Sequence, residues 1–356
     1  MGPFARCIAR VHRGPARGLQ VVIVAVLLGG LAGAWGVAAA QVATPSGDPT
    51  PVARASVQQW LMGLNQAARQ QAYVGTFVVT AGSRMASSRI WHACDGRQQI
   101  ERIDALNGEP RTTFRQDEQV LTLWPQSRVA VRERRDVLRL FPQIPGTAAP
   151  TLDAFYRLRE LPEQRIAGLA VQGVELLPQD DWRFGYRVWT EPRSGVVVKL
   201  QTLGAGQSVL EQAAFSELDL GAQVSVPALA AQMAQIQGYR VRKAELSATT
   251  ADQEGWLFKS LIPGFRLVGC HRRVDADQSA LGPLMQCVLT DGLAAVSLFV
   301  VPFDAQRHGQ MPRQHPYALG ATQVVMRQLG PWWATAVGEV PEKTLKTLLQ
   351  GLERTR

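Results

Sequence analysis

Short runs that alternate apolar and polar residues dominate this 356-residue chain from Tyr73 onward. A period of two is typical of half-buried β-strands, and Asp95-Gly96 and Asn107-Gly108 between the runs are strong hairpin signals. The runs predict strands over Tyr73–Thr80, Ser88–Cys94, Gln98–Ala105, Arg111–Gln116, Val120–Trp124 and Arg128–Val131, and, after a helical interruption near Thr151–Arg159, over Ala170–Leu177, Trp182–Thr190, Val196–Leu203 and Val209–Leu220. Because strands and helices do not alternate, the pattern indicates a long antiparallel sheet with few helices.

Helical periodicity flanks these strands. Ser56 and Gln59 have the spacing of a capping box, and the apolar stripe that starts at Val57 predicts a helix over Ala55–Gln70. Near the other end of the chain, Pro341 is placed to open a final helix at its first position. The apolar face of that helix is predicted to contain Leu345, Leu348, Leu349 and Leu352.

The alternating strand pattern is interrupted between residues 222 and 254. A short helix is predicted over Ala228–Gln237, and Ser247–Gln253 is polar and poor in strand signals, so we interpret residues 222–254 as a linker. The prediction is an α+β protein with a large domain over residues 54–221 and a smaller antiparallel α+β domain over residues 255–356. Strands of the smaller domain are expected at Phe265–Arg273, Leu284–Thr290, Leu293–Pro302, Ala321–Leu329 and Trp333–Val340.

The first forty residues predict an exported protein. Four arginines, an apolar run over Leu19–Leu31 and the small residues Val37–Ala40 have the order of a bacterial secretory signal, with cleavage after Ala40. An uncleaved membrane anchor is the alternative, because Leu19–Ala40 is just long enough to span a bilayer. Both interpretations place the rest of the chain outside the cytoplasm.

The charge of the mature chain limits its partners. Removal of the four signal arginines lowers the formal net charge from +9 to +5, and the remaining charges are scattered. No basic stripe or reader motif is present, so no nucleic-acid partner is expected. A polyanion at the envelope surface, or an acidic partner segment, is compatible with this charge.

Three cysteines remain after removal of the signal, namely Cys94, Cys270 and Cys287. In an oxidising compartment Cys270 and Cys287 could form a disulfide across two neighbouring predicted strands. Two buried thiols are the alternative. Cys94 is the odd cysteine outside this pair and is expected to be a free thiol.

The sequence contains no catalytic constellation that we recognise. It has no G-x-S-x-G elbow, Walker loop, H-E-x-x-H or C-x-x-C motif. His92 with Cys94, and Cys270 with His271, do not make a complete metal site. We therefore expect a binding protein without enzymatic activity, metal or cofactor, and keep a thiol-dependent enzyme that uses Cys94 and His92 as an alternative.

Aromatic residues on predicted strands indicate a candidate ligand. Phe184 and Tyr186 share one face of their strand, and Phe77 lies on one face of the first strand. One interpretation is a sheet packed on its core helices. The other is a curved sheet with too few helices, which leaves an apolar groove for an acyl chain.

A series of short motifs is distributed along nearly the whole mature chain. The series includes Ile90-Trp91-His92, Glu101-Arg102, Asn107-Gly108-Glu109-Pro110-Arg111, Arg165-Ile166-Ala167-Gly168, Tyr186-Arg187-Val188-Trp189-Thr190-Glu191, Leu261-Ile262-Pro263-Gly264-Phe265, Thr290-Asp291-Gly292-Leu293 and Val337-Gly338-Glu339-Val340-Pro341. In their order and spacing, more than in any single motif, these segments resemble the periplasmic RseB/MucB family.

The resemblance implies a fold and a function. It implies a lipoprotein-carrier-like half-barrel, a curved antiparallel sheet over helices, followed by the smaller domain. It implies a periplasmic negative regulator of the sigma-E envelope stress response, which binds the periplasmic part of a membrane-bound anti-sigma factor and shields it from the site-1 protease. Lipopolysaccharide or lipoprotein acyl chains would fill the groove and release the partner.

For the groove we select five residues that alternate on strands expected to face the helices: Phe77, Leu121, Leu123, Phe184 and Tyr186. A periplasmic carrier of lipoproteins or acyl chains is the alternative function. The smaller domain disfavours it, since a simple carrier needs only the half-barrel. Self-association is left open.

Overall fold

The computed structural model describes residues 56–117, 119–134, 152–243, 245–274, 284–309 and 317–355. The predicted signal segment and its cleavage site lie outside these ranges. None of the helices within them has the length and apolar character needed to cross a membrane.

The first sheet has twelve strands, ordered β12-β6-β5-β4-β3-β2-β1-β11-β10-β9-β8-β7. The strands are β1 (Tyr73–Ala81), β2 (Arg84–Cys94), β3 (Gln99–Ala105), β4 (Thr112–Gln116), β5 (Gln119–Trp124), β6 (Val129–Arg134), β7 (Tyr156–Ile166), β8 (Leu169–Pro178), β9 (Gly185–Thr190), β10 (Val197–Leu203), β11 (Val209–Asp219) and β12 (Arg240–Lys243). All pairs are antiparallel except β12 with β6. Three helices accompany this sheet: α1 (Val57–Ala68), α2 (Leu152–Phe155) and α3 (Val226–Ala234).

The second sheet has seven strands, ordered β13-β15-β16-β17-β20-β19-β18. They are β13 (Glu245–Thr249), β15 (Arg266–Val274), β16 (Leu284–Thr290), β17 (Ala295–Pro302), β18 (Tyr317–Leu319), β19 (Thr322–Leu329) and β20 (Trp332–Gly338). The same part of the chain contains α4 (Ala305–His308), α5 (Glu342–Gln350) and a separate pair of strands, β14 (Trp256–Phe258) with β21 (Leu352–Arg354). Leu345, Leu348 and Leu349 of α5 are buried in the core of this part.

The predicted α+β class is confirmed: a large, mostly antiparallel sheet with few helices is followed by a separate C-terminal sheet. The domain boundaries at residues 221 and 254 stay predictions. Within the predicted linker the structure places α3 and one strand of each sheet, β12 and β13.

Five local predictions are wrong. The helix expected near Thr151–Arg159 is a single turn, and the chain continues as β7 because its alternating side chains pair with β8. The expected lack of strand after Ser247 fails because β13 pairs with β15. Trp182–Phe184 precedes β9 instead of belonging to it, since the Trp182 carbonyl accepts a hydrogen bond from Thr344 of α5 and Arg183 pairs with Asp291, which follows β16. Pro341 is the N-cap of α5 and Leu352 begins β21, so neither lies inside the helix.

The start of α1 follows from the sequence. The Ser56 hydroxyl accepts a hydrogen bond from the Gln59 amide, and the Gln59 side chain accepts one from the Ser56 amide. These reciprocal bonds are the capping box, and they satisfy amides that have no partner within the helix. The helix then buries Val57 and Leu61 against the twelve-stranded sheet.

Gly75 in β1 allows Phe215 to lie across the strand. A Cβ atom at this position would be 2.6 Å from Cε1 of Phe215 and 2.7 Å from the carbonyl oxygen of Glu217. Gly75→Ala should therefore lower the free energy of unfolding by about 1–3 kcal/mol, as overpacking of a core does. Chemical denaturation measures this change.

Gly63→Ala is the matched control for that substitution. Gly63 lies inside α1 with no atom within 4 Å of its Cβ position, so alanine there should stabilise the chain by about 1 kcal/mol. An unchanged stability of Gly75→Ala would show that Phe215 does not hold its place across β1.

Candidate functional site

The twelve-stranded sheet has two different buried faces. Directly paired residues of an antiparallel sheet share a face, and successive residues of a strand alternate between faces. The pairs Tyr73–His92, His92–Glu101 and Glu101–Arg115 follow one face from β1 to β4. Helix α1 ends on this face, where His92 Nε2 lies 2.7 Å from the carbonyl oxygen of Ala68. We call it the α1 face.

The core of the α1 face is aromatic. Phe77 and Phe215 meet edge to face with their ring centroids 6.0 Å apart, and Tyr73 meets Phe215 in the same way at 5.9 Å. The same hydrophobic cluster includes Val57, Leu61, Ile90, Leu152, Tyr186 and Val188. Side chains of α1, α2 and the sheet therefore already fill this face.

The opposite face of strands β2–β6 is covered by α3, and we call it the α3 face. Its cluster contains Ala93, Ile100, Phe114, Leu121, Leu123 and Ala130 from the strands, with Val226, Leu229 and Met233 from the helix. Leu121 follows Val120, which is paired with Arg115 on the α1 face, so Leu121 points the other way.

The five residues selected for the lipid groove do not line one groove. All five are buried, but Phe77 and Tyr186 belong to the α1 face, whereas Leu121 and Leu123 pack under α3. Phe184 precedes β9 and follows Arg183, at the contact between the two sheets. Sequence alternation correctly places Leu121 and Leu123 on the same face. It does not show that this face is opposite to the one that contains Phe77.

A row of polar side chains crosses the α1 face beside the aromatic core. His92 Nδ1 lies 3.0 Å from Glu101 Oε1, Glu101 also forms an ion pair with Arg115, and Tyr73 stacks on His92 at 4.7 Å. His92 and Glu101 are fully buried, and Arg115 is 3% exposed. The row joins four neighbouring strands through side chains, in addition to their backbone ladder.

The row determines the charge of His92. Burial lowers the pKa of His92, but hydrogen bonds with Cys94 and Glu101 and the charge of Glu101 raise it, and the outcome is a rise from 6.5 to about 9. Burial, followed by the charge of Glu101, raises the pKa of Tyr73. His92 is thus a buried cation at neutral pH that donates to Glu101 and Ala68. Because its ring is inaccessible, the structure disfavours the alternative of a thiol enzyme built on Cys94 and His92.

A buried ion pair joins the two sheets. Arg183 Nε lies 2.7 Å from Asp291 Oδ2, and neither side chain is exposed. The same guanidinium also pairs with Asp180 and donates to the carbonyl of Pro263. The Tyr156 hydroxyl donates to Asp291 at 3.1 Å.

Further contacts surround this ion pair, and we call the whole set the junction. The Arg183 guanidinium lies over the rings of Phe155, at 4.2 Å, and Phe265, at 5.1 Å. Thr344 at the start of α5 donates to the Trp182 carbonyl at 2.8 Å, and Lys343 lies over the Trp182 ring at 4.8 Å. The junction thus combines buried charge with aromatic packing.

Two cysteines of the second sheet are bonded in the structure. Cys270 in β15 lies directly opposite Cys287 in β16, and their Sγ atoms form a disulfide. Cys94 is a free thiol.

Sequence reasoning did not single out the polar row or the junction. His92, Glu101 and Asp291 occur within the motifs that carry the family resemblance. Their presence in these motifs was the sequence signal that could have indicated them. Arg183 and Asp291 are 108 residues apart in the chain, so no local pattern pairs them.

The chain matches two family models in succession. The MucB/RseB N-terminal domain matches residues 56–236, and the MucB/RseB C-terminal domain matches residues 250–353. Together the two matches include the junction and both sheets except for their strands β12 and β13.

Curated relatives and solved structures agree with these matches. The sigma factor AlgU regulatory protein MucB of Pseudomonas aeruginosa is 29% identical over 296 residues, which cover 81% of this chain and 87% of that protein. The sigma-E factor regulatory protein RseB of Haemophilus influenzae is 22% identical over 305 residues, covering 83% and 90%. The Pseudomonas aeruginosa MucA/MucB complex contains a chain similar to this one, with a TM-score of 0.64, 25% identity, and coverage of 84% of this chain and 99% of that one.

The polar row makes stability depend on pH. The pKa of His92 is 6.5 in the unfolded chain and about 9 in the folded protein, so its contribution is complete below pH 6.5 and is lost as the pH rises through 9. The free energy of unfolding should therefore fall over this range.

Urea denaturation at about pH 6 and about pH 9.5, without reductant, measures this loss. His92→Gln is the control, because glutamine does not titrate and should show a smaller fall. An equal fall in both proteins would mean that His92 is not the charged group.

Proposed function

Because the chain belongs to the MucB/RseB family, we propose that it is a periplasmic negative regulator that binds the periplasmic part of a membrane-bound anti-sigma factor. The observation that carries the proposal is the match of both domains to proteins named as sigma factor regulators, one of which forms a complex with MucA. Cleavage of the predicted signal after Ala40 would deliver the chain to that compartment.

The regulator holds its partner only in the absence of envelope damage. While bound, it shields the anti-sigma factor from the site-1 protease. Acyl chains of mislocalised lipopolysaccharide or lipoprotein release it. Ligand and partner then favour different states of this chain, and each weakens the binding of the other by the same factor.

The α1 face is the place we assign to the acyl chain. It is the larger of the two apolar faces and includes Phe77 and Tyr186, two of the five residues selected for the groove. Because α1 and α2 already cover it, an acyl chain must displace these helices or slide beneath them. Leu121 and Leu123, under α3, are not assigned to this site.

Polar contacts at both ends and an apolar face hold α1 in place. Its Val57 amide donates to Asp153 Oδ1 at 2.6 Å, its last turn is bound by His92, and it fully buries Val57 and Leu61. Trp60 and Leu64 are partly buried against the same core. Exposing Val57 and Leu61 costs about 3–6 kcal/mol. Burial of an acyl chain contributes about 0.8 kcal/mol per methylene, so roughly four to eight buried methylenes offset this cost.

The main test is a titration of the mature chain, from Gln41, with the periplasmic segment of its organism's anti-sigma factor. Calorimetry should show binding that weakens at least about tenfold when lipopolysaccharide is present, as expected for a coupling of roughly 1.4 kcal/mol or more. Deacylated lipopolysaccharide is the control and should leave the affinity unchanged.

Two results would contradict the proposal. Absence of binding to the anti-sigma segment, with lipid still bound, would favour the acyl-chain carrier. Binding that lipopolysaccharide and its deacylated form weaken equally would exclude the acyl chain as the releasing group.

A further inference from the structure

The outer edge of the twelve-stranded sheet is a short basic strand. Strand β12 is paired with β6 on one side, and all four of its residues, Arg240–Lys243, are exposed. The amide of Arg240 donates to the carbonyl of Arg128 at 2.8 Å, which fixes the start of β12 beside the turn that precedes β6. We call Arg128, Arg132 and the residues of β12 the basic rim.

Strand pairing assembles the basic rim from two distant parts of the sequence. In the parallel register Lys243 lies opposite Arg132, which is two residues after Ala130, and Ala130 packs under α3. Lys243 and Arg132 therefore project on the α3 side, whereas Arg240 and Arg242 project on the opposite side. Because neighbouring strands lie about 4.8 Å apart, charges that are scattered in the sequence form one patch.

The charge of the basic rim is largely uncompensated. The acidic residue of the two paired strands is Glu133. Among the residues that the structure describes, no ion pair is formed by four exposed cations of the rim: Arg128, Arg132, Arg240 and Lys243. These four side chains are therefore available to an anionic partner.

The opposite edge of the same sheet, β7, has a different composition. Its exposed charges have both signs, and Pro162 lies where its pairing with β8 is interrupted. Mixed charges and proline are usual protection of a strand edge against pairing with another chain. The basic rim has a single sign of exposed charge on both sides of the strand, which in addition attracts an anionic surface.

The shape of the basic rim fits a flat surface better than a small anion. Charges that project on both sides of one strand do not converge on a single point, but all of them can reach a plane that approaches the edge. Val241 is 46% exposed between Arg240 and Arg242. Apolar and basic side chains presented together suit the boundary between the headgroups and acyl chains of a bilayer.

We propose that the basic rim binds the surface of a bilayer that contains anionic phospholipid. Each arginine or lysine close to such a surface strengthens the binding about fivefold, so several of them together hold the chain at the membrane. This site involves neither the aromatic core of the α1 face nor an anti-sigma factor, and it does not depend on the proposed function.

The test is flotation of the mature chain, from Gln41, with vesicles of phosphatidylcholine and phosphatidylglycerol in a ratio of about 2:1. At about 0.1 M NaCl the chain should float with these vesicles and not with vesicles of phosphatidylcholine alone. At about 1 M NaCl the binding should be lost, because the Debye length falls from about 10 Å to about 3 Å.

Paired variants separate the position of the charge from the net charge. Arg240→Gln with Lys243→Gln should weaken the binding about 25-fold. Arg157→Gln with Arg165→Gln, which removes two exposed arginines of β7, is the matched control and should bind as the unmodified chain does. Arg240→Lys with Lys243→Arg keeps both charges and should also retain the binding. Thermal unfolding checks that each variant is folded.

Three results would overturn the proposal. The first is equal binding to the anionic and the neutral vesicles, or to neither. The second is an equal loss in the rim variant and the β7 variant. The third is self-association of the rim variant with unchanged vesicle binding, which would show that the charges only protect the edge.

The same titration distinguishes an acidic polypeptide from a membrane. Binding of polyglutamate by a chain that does not bind the vesicles would replace the proposal with an acidic protein partner. Because the vesicles contain neither lipopolysaccharide nor an anti-sigma factor, failure here leaves the proposed regulatory function untouched, and failure of that function leaves this test valid.

Discussion

Alternation of side chains across one continuous sheet is the constraint on which the rest of the N-terminal part depends. Because each pair of opposed residues shares a face, the register of β1 to β5 commits His92, Glu101 and Arg115 to one side and Leu121 to the other. Helix α1 packs on one of these faces and α3 packs on the other. A ligand that enters one core therefore need not disturb the other.

The junction between the two sheets has a different physical basis. Arg183 and Asp291 are fully buried, and each is satisfied by several partners besides the other. A buried pair of this kind adds little net stability over apolar packing, but leaving one partner uncompensated costs about 3–5 kcal/mol. The ion pair therefore specifies one arrangement of the sheets.

Local sequence signals predicted most strands and the start of α1, because capping boxes and Asn-Gly or Asp-Gly turns act within a few residues. They did not predict the junction, whose partners are distant in the chain. They also grouped Phe77 with Leu121 on one face. Alternation shows which residues of one strand share a face, but only the register between strands shows which residues of different strands do. The length of α2 was overestimated, because the end of the predicted helix belongs to the strand that follows directly, Tyr156–Ile166.

The proposed acyl chain enters the α1 face and loosens α1. Hydrogen exchange of the mature chain with and without lipopolysaccharide can detect this, since α1 and α3 lie on separate faces of one sheet. We expect faster exchange over Val57–Ala68 when lipid is bound, with unchanged exchange over Val226–Ala234. Faster exchange in α3 alone, or an α1 that becomes more protected, would contradict it.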